Sequence, residues 1–66
     1  MGLSIYMDLP IAAVQHWPEN DRPWSFTVYY RGKSYRYFVR SEYKVGQMVT
    51  MKWDHSGKYL AFVGVP

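Results

Sequence analysis

Between Trp24 and Tyr30, and again between Tyr35 and Arg40, large apolar side chains alternate with polar ones, and Arg31-Gly32-Lys33-Ser34 separates the two runs. A period of two marks a half-buried strand, whereas helices repeat every 3.6 residues, and strong helical periodicity is missing from this chain. The pattern predicts a β-hairpin. Gly32-Lys33 suits a two-residue type II′ loop, because glycine supplies the positive φ of its first position. That loop sets Tyr30 against Tyr35, Val28 against Tyr37 and Phe26 against Val39, with Tyr29 and Arg36 as cross-strand neighbours and Thr27 opposite Phe38. A loop at Arg31-Gly32 instead moves every partner by two residues and leaves each side chain on its own face. Trp24, Phe26, Val28, Tyr30, Tyr35, Tyr37 and Val39 are therefore expected to face a core. Ser25, Thr27, Tyr29, Arg31, Arg36, Phe38 and Arg40 are expected to face away from it.

The same alternation predicts three more strands. Ile11 to Trp17 reads as a first strand entered through Pro10, with a helix as the rival for this segment. Pro18-Glu-Asn-Asp-Arg-Pro23 is dense in turn formers and reads as a loop. Gln47 to Trp53 and Tyr59 to Val63 form a second hairpin around Asp54-His-Ser-Gly57, whose leading Asp and closing Gly suit a type I turn. With those four residues as the loop, Met51 faces Leu60 and Val49 faces Phe62. The other side of this hairpin, with Met48, Thr50, Lys52, Tyr59, Ala61 and Val63, is half apolar and calls for cover by the N-terminal segment or by another subunit. Five short strands and two hairpins predict an all-β fold, a small SH3-like or OB-like barrel occupying residues 1–66 as one domain. Val45-Gly46-Gln47-Met48-Val49-Thr50-Met51 is similar to the strand entry of SH3-like and Sm-like barrels, where a glycine precedes an apolar strand. The resemblance spans these residues alone and brings no functional residue with it.

With 66 residues the chain buries little apolar surface for the entropy it loses on folding, and an aromatic content of 20% supplies the bulk that so small a core needs. Oligomerisation is the other common remedy, so self-association is an expected property. The absence of cysteine excludes disulfides, thiolate metal sites and thiol redox chemistry. A reducing, cytoplasmic setting is the expectation. Residues 1–14 lack a basic start and an uninterrupted apolar run, so neither a targeting segment nor a membrane partner is expected.

Charge changes the picture more than composition does. Residues 1–21 carry Asp8, Glu19 and Asp21 and no Lys or Arg, whereas residues 22–66 carry all eight basic side chains against two acidic ones. Such an imbalance favours polyanions or acidic protein surfaces. It coincides with the aromatics, since residues 25–44 hold seven of the chain's thirteen aromatic rings.

Catalytic and metal chemistry find little support. His16 and His55 stand far apart, with no carboxylate at a ligand spacing beside them, so no metal and no cofactor is expected. Gly32-Lys33-Ser34 matches the end of a phosphate-binding loop, but Thr27 occupies the position of that motif's first glycine and a strand follows where a helix is required. No serine has the flanking glycines of a nucleophile elbow, and the carboxylates are scattered, so no catalytic residue is assigned and the chain is expected not to be an enzyme.

The remaining signal is the outward face of the first hairpin. Tyr29, Arg31, Lys33, Arg36, Phe38 and Arg40 combine ring planes with cations, which suits a single-stranded nucleic acid: bases stack on rings while Arg and Lys neutralise phosphates. Two other accounts fit the same residues. Tyr29 can stack on Arg36 and Phe38 can pack under the N-terminal segment, giving the face a structural role only. Tyr, Trp and Arg are also enriched at protein interfaces, so a protein partner could use this face or an exposed sheet edge, with Trp53 the first tryptophan to test for such a contact.

Overall fold

The computed structural model describes residues 3–66. It is all-β, with six strands in two three-stranded antiparallel sheets. These are β1 (Ser4–Pro10), β2 (Ala13–His16), β3 (Trp24–Tyr30), β4 (Lys33–Val39), β5 (Met48–Asp54) and β6 (Tyr59–Gly64). Sheet I has the order β1-β5-β6 and sheet II the order β2-β3-β4. Cross-strand partners share a face, so the register puts Met7, Met51 and Phe62 on one side of sheet I and Val14, Phe26 and Tyr37 on one side of sheet II. These sides meet. Ile11, Phe26, Val28, Val49, Met51 and Leu60 form the fully buried core between them.

Three expectations need correction. The molecule is two facing sheets with open edges in place of a closed barrel, because β4 and β6 form no ladder with each other among the described residues. It has six strands where five are predicted, since Ser4–Pro10 pairs along the whole of β5. This added strand lies beside the second hairpin and does not cover its outer face, where Tyr6 and Asp8 join Thr50 and Lys52 instead. The predicted first strand, Ile11 to Trp17, is reduced to Ala13–His16; it is a strand and not a helix.

The shortening has a backbone cause. Ile11 donates to the Gln47 carbonyl at 2.9 Å and accepts from the Gly46 amide at 2.8 Å, while Ala12 donates to the Thr27 carbonyl at 2.8 Å. Within two residues the chain leaves the neighbourhood of sheet I and enters sheet II, and the Ile11 side chain, 1% exposed, fills the corner. Gly46 takes φ +89°, a conformation that side chains disfavour, which explains why glycine stands where the chain enters β5.

Both ends of the core are closed by rings. At one end Tyr43, from the connection between the sheets, packs on Phe26 and Phe62 with centroids 5.3 and 6.0 Å away. At the other, Tyr30 of sheet II meets Trp53 of sheet I at 5.4 Å. Between them the Tyr37 hydroxyl donates to the Leu60 carbonyl, tying β4 to β6 across the gap.

Burial of the Tyr37 ring, to which the neighbouring Tyr35 adds, pushes its phenol up to about 12 from the ordinary 10.0. The folded state thus keeps a proton that the unfolded chain loses. Its stabilising effect is complete below pH 10 and declines as the pH rises toward about 12. Chemical denaturation across that interval is expected to show a steeper loss of stability for the wild-type chain than for Tyr37→Phe, and parallel curves would show that the phenol is not held in this way.

Candidate functional site

The outward face of sheet II is built by the β3–β4 hairpin with β2 at its side. Arg31 and Gly32 form the loop, both with positive φ (54° and 78°), the pattern of a type I′ turn. The register is accordingly Tyr30 with Lys33, Val28 with Tyr35 and Phe26 with Tyr37. It is the second of the two loops considered above, and the assignment of faces is unchanged along the strands, whereas Arg31 is a loop residue whose guanidinium turns to Tyr30 in place of the outward face. The neighbours on the outward face do change: Thr27 lies opposite Arg36, Tyr29 opposite Ser34 and Ser25 opposite Phe38, so Tyr29 and Arg36 are diagonal neighbours. The second hairpin shifts by two in the same way, with Met51 opposite Phe62 and Trp53 opposite Leu60. Its loop runs from His55 to Lys58 because Lys58 adopts φ 55° and donates to the Asp54 carbonyl at 2.7 Å.

Tyr29, Arg36, Gln15, Ala13, Thr27 and Ser34 line a shallow groove of about 360 Å³ on this face. Tyr29 is 61% exposed, which leaves its ring open to a stacking partner. Arg36 stands on the opposite side of the groove floor, its guanidinium carbon 5.5 Å from the centre of the Trp17 ring. The groove therefore combines a free aromatic plane, a cation, and the amide and hydroxyl groups of Gln15, Ser34 and Thr27.

Beyond Arg36 the face is partly covered. Trp17 lies against it, its indole N–H donating to the Ser25 hydroxyl at 2.8 Å and its ring meeting Phe38 edge-on at 5.7 Å. Ser25 is buried at 1% exposure for this reason, a small polar residue satisfied beneath an indole. The odd position of Trp17, like those of Ala13 and Gln15, puts it on the outward side. Phe38 is covered by Trp17 in place of the N-terminal segment and remains 38% exposed. Arg40 lies further on, in a second depression of about 310 Å³ with Arg22, Tyr43 and Phe62.

The other two predicted cations take a different position. Arg31 folds its guanidinium over the Tyr30 ring at 5.5 Å, and Lys33 pairs with Tyr30, so both belong to the hairpin tip on the Trp53 side. Trp53 is half-buried there, with Tyr30 on one flank and His55 edge-on at 6.4 Å. The six candidate residues thus fall into three parts: Tyr29 and Arg36 on the groove, Arg31 and Lys33 at the tip, Phe38 and Arg40 at the far end. Sequence reasoning missed Gln15 and Trp17; their alternation with Val14 and His16 on the strand beside β3 was the available signal.

Among the described residues no three His, Asp or Glu side chains come together as a metal cluster, and no helix is long and apolar enough to cross a membrane. Comparison of the chain with protein-family models, curated proteins and solved structures found no match.

Arg31 occupies a left-handed conformation that asparagine tolerates better than most residues. Arg31→Asn is expected to stabilise the fold by up to about 1 kcal/mol in urea titration while removing a cation from the tip. An unchanged or lower midpoint would show that contact with Tyr30 outweighs the backbone preference.

Proposed function

We propose that the chain is a non-enzymatic binding module for single-stranded nucleic acid, engaged through the outward face of sheet II. The observation that carries this reading is the open Tyr29 ring set in a groove with Arg36. Tyr29 provides a plane on which any base can stack, a contact worth about 1–3 kcal/mol. Arg36 reaches the adjoining phosphate, and Arg31 and Lys33 extend the positive field at the tip, while Phe38 and Arg40 lie apart from the groove, beyond Trp17. The mixture of ring and cation favours unpaired strands over duplex, because a base must leave its stack to lie on Tyr29. Nothing in this role requires a nucleophile, a metal or a cofactor.

A second reading has an observation of its own. β1 is an edge strand of seven residues, and one side of its backbone pairs with no other strand among the described residues. A free edge can add a strand from a partner protein or from a second copy of this chain. Asp8 and Pro10 on that strand work against such pairing, as charges and prolines do on protected edges. The absence of cysteine suits a cytoplasmic protein under either reading.

Salt separates the two. With about four phosphates neutralised on a single strand, raising salt from about 50 to 200 mM weakens binding roughly 50-fold, a loss that a strand-pairing protein partner would not show. Fluorescence anisotropy with a mixed-sequence single-stranded oligonucleotide is expected to show this dependence. Tyr29→Ala should weaken the single strand about 5- to 160-fold, in line with the stacking energy, with little effect on a duplex of equal length. Absence of binding at low salt would remove the proposal, and equal losses for both nucleic acids would remove Tyr29 as a stacking plane.

A further inference from the structure

The contact between Tyr30 and Trp53, at 5.4 Å, brings the loops of both hairpins to the same end of the molecule. Tyr30 adjoins the Arg31-Gly32 loop, and Trp53 lies one residue before Asp54, which opens the His55–Lys58 loop. Arg31, Lys33 and Lys58 therefore stand at one end of the molecule, all exposed, on the two loops that the Tyr30–Trp53 contact brings together. Asp54 is the carboxylate of this end. Its oxygen accepts from the amides of Gly57 and Ser56 and from the Ser56 hydroxyl, and these bonds hold it below the usual carboxylate range, engaged with its own turn.

The opposite end has a different balance. Arg22 and Arg40 line the depression there and Lys44 follows Tyr43, but Asp21 adjoins Arg22 in the chain, Glu19 belongs to the same loop, and Glu42 follows Arg40 by two residues, so the carboxylates match the cations in number. The Trp17 indole, seated on Ser25 and against Phe38, also occupies the outward face between that depression and the groove. Along the sheet, then, the positive field is strongest at the hairpin tips, and the path toward Arg40 is interrupted by a ring and flanked by carboxylates.

We infer that a nucleic-acid strand stacked on Tyr29 leaves the groove over the hairpin tips, with its next phosphates on Arg31, Lys33 and Lys58, and does not run along β4 to Arg40. This rests on the single-strand reading above and adds Lys58, a residue of the other sheet, to the site. The Tyr30–Trp53 contact joins the two hairpins whose loops carry the three cations.

Two substitutions with equal change of net charge test the path: Lys58→Asn, which suits the positive φ of that position, and Arg40→Asn. A mixed-sequence single-stranded DNA is titrated into each variant across a salt series. Lys58→Asn is expected to lower the slope of log affinity against log salt by about 0.7, one phosphate contact, while Arg40→Asn leaves the slope unchanged. The Trp53 indole N–H resonance should also shift on titration into the wild-type protein. A reduced slope for Arg40→Asn alone, equal effects of the two variants, or no effect of either would overturn the path while leaving the single-strand reading in place. Failure of the wild-type chain to bind the DNA at all would instead overturn both.

Discussion

The fold depends on one change of direction in the backbone at Ile11. The segment from Ser4 to His16 serves as an edge strand of both sheets, and it can do so only because its hydrogen bonds pass from the approach to β5 to β3 within two residues. The side chain at that corner is apolar and almost wholly buried, so the turn is held by packing as well as by the ladder. Removing a side chain of this size from water contributes about 1.5–3 kcal/mol, a substantial share for a domain with so small a core. Without that handover the sheets would be joined by loops, by core packing and by the Tyr37–Leu60 hydrogen bond, with no strand backbone passing from one ladder to the other.

Once the sheets face each other, the strand period settles what remains outside. Phe26, Val28 and Tyr37 point inward, so Thr27, Tyr29 and Arg36 must point outward, and β2 contributes Ala13 and Gln15 to the same surface. Function, on this account, is placed by the same alternation that builds the core. Trp17 then divides the outward face. Its indole satisfies the buried Ser25 hydroxyl and screens part of Phe38, leaving Tyr29 as the freely exposed ring of the groove. The exposed aromatic and the gathered cations of the hairpin tips lie toward one end, while three carboxylates lie in the loops toward the other.

Much of this was legible in the residues, and the parts that were not share a cause. Face assignment held along the strands of both hairpins because a register shift of two residues preserves it; Arg31, which the shift moves into the loop, is the exception. The registers themselves were displaced because Arg31 and Lys58 adopt positive φ, which sequence reasoning reserves for glycine and sees less readily in a basic residue. The β1 strand did carry a signal: Ile5, Met7 and Leu9 alternate with Ser4, Tyr6 and Asp8. Reading Pro10 as the entrance to a strand concealed that it closes one. Closure into a barrel was inferred from strand number, but closure depends on whether the last edges pair, and here a single tyrosine hydroxyl bridges β4 and β6 where a ladder would be needed.

The role given to the corner is open to direct measurement by native-state hydrogen exchange. The amides of Ile11, Ala12 and Gly46, which carry the handover, should exchange only through global unfolding, with the same free energy and denaturant dependence as the core amides of Val28 and Met51. Exchange of those three at the rate of fraying loop amides, while each sheet retains its own protection, would show that the sheets are joined by something other than this turn of the chain.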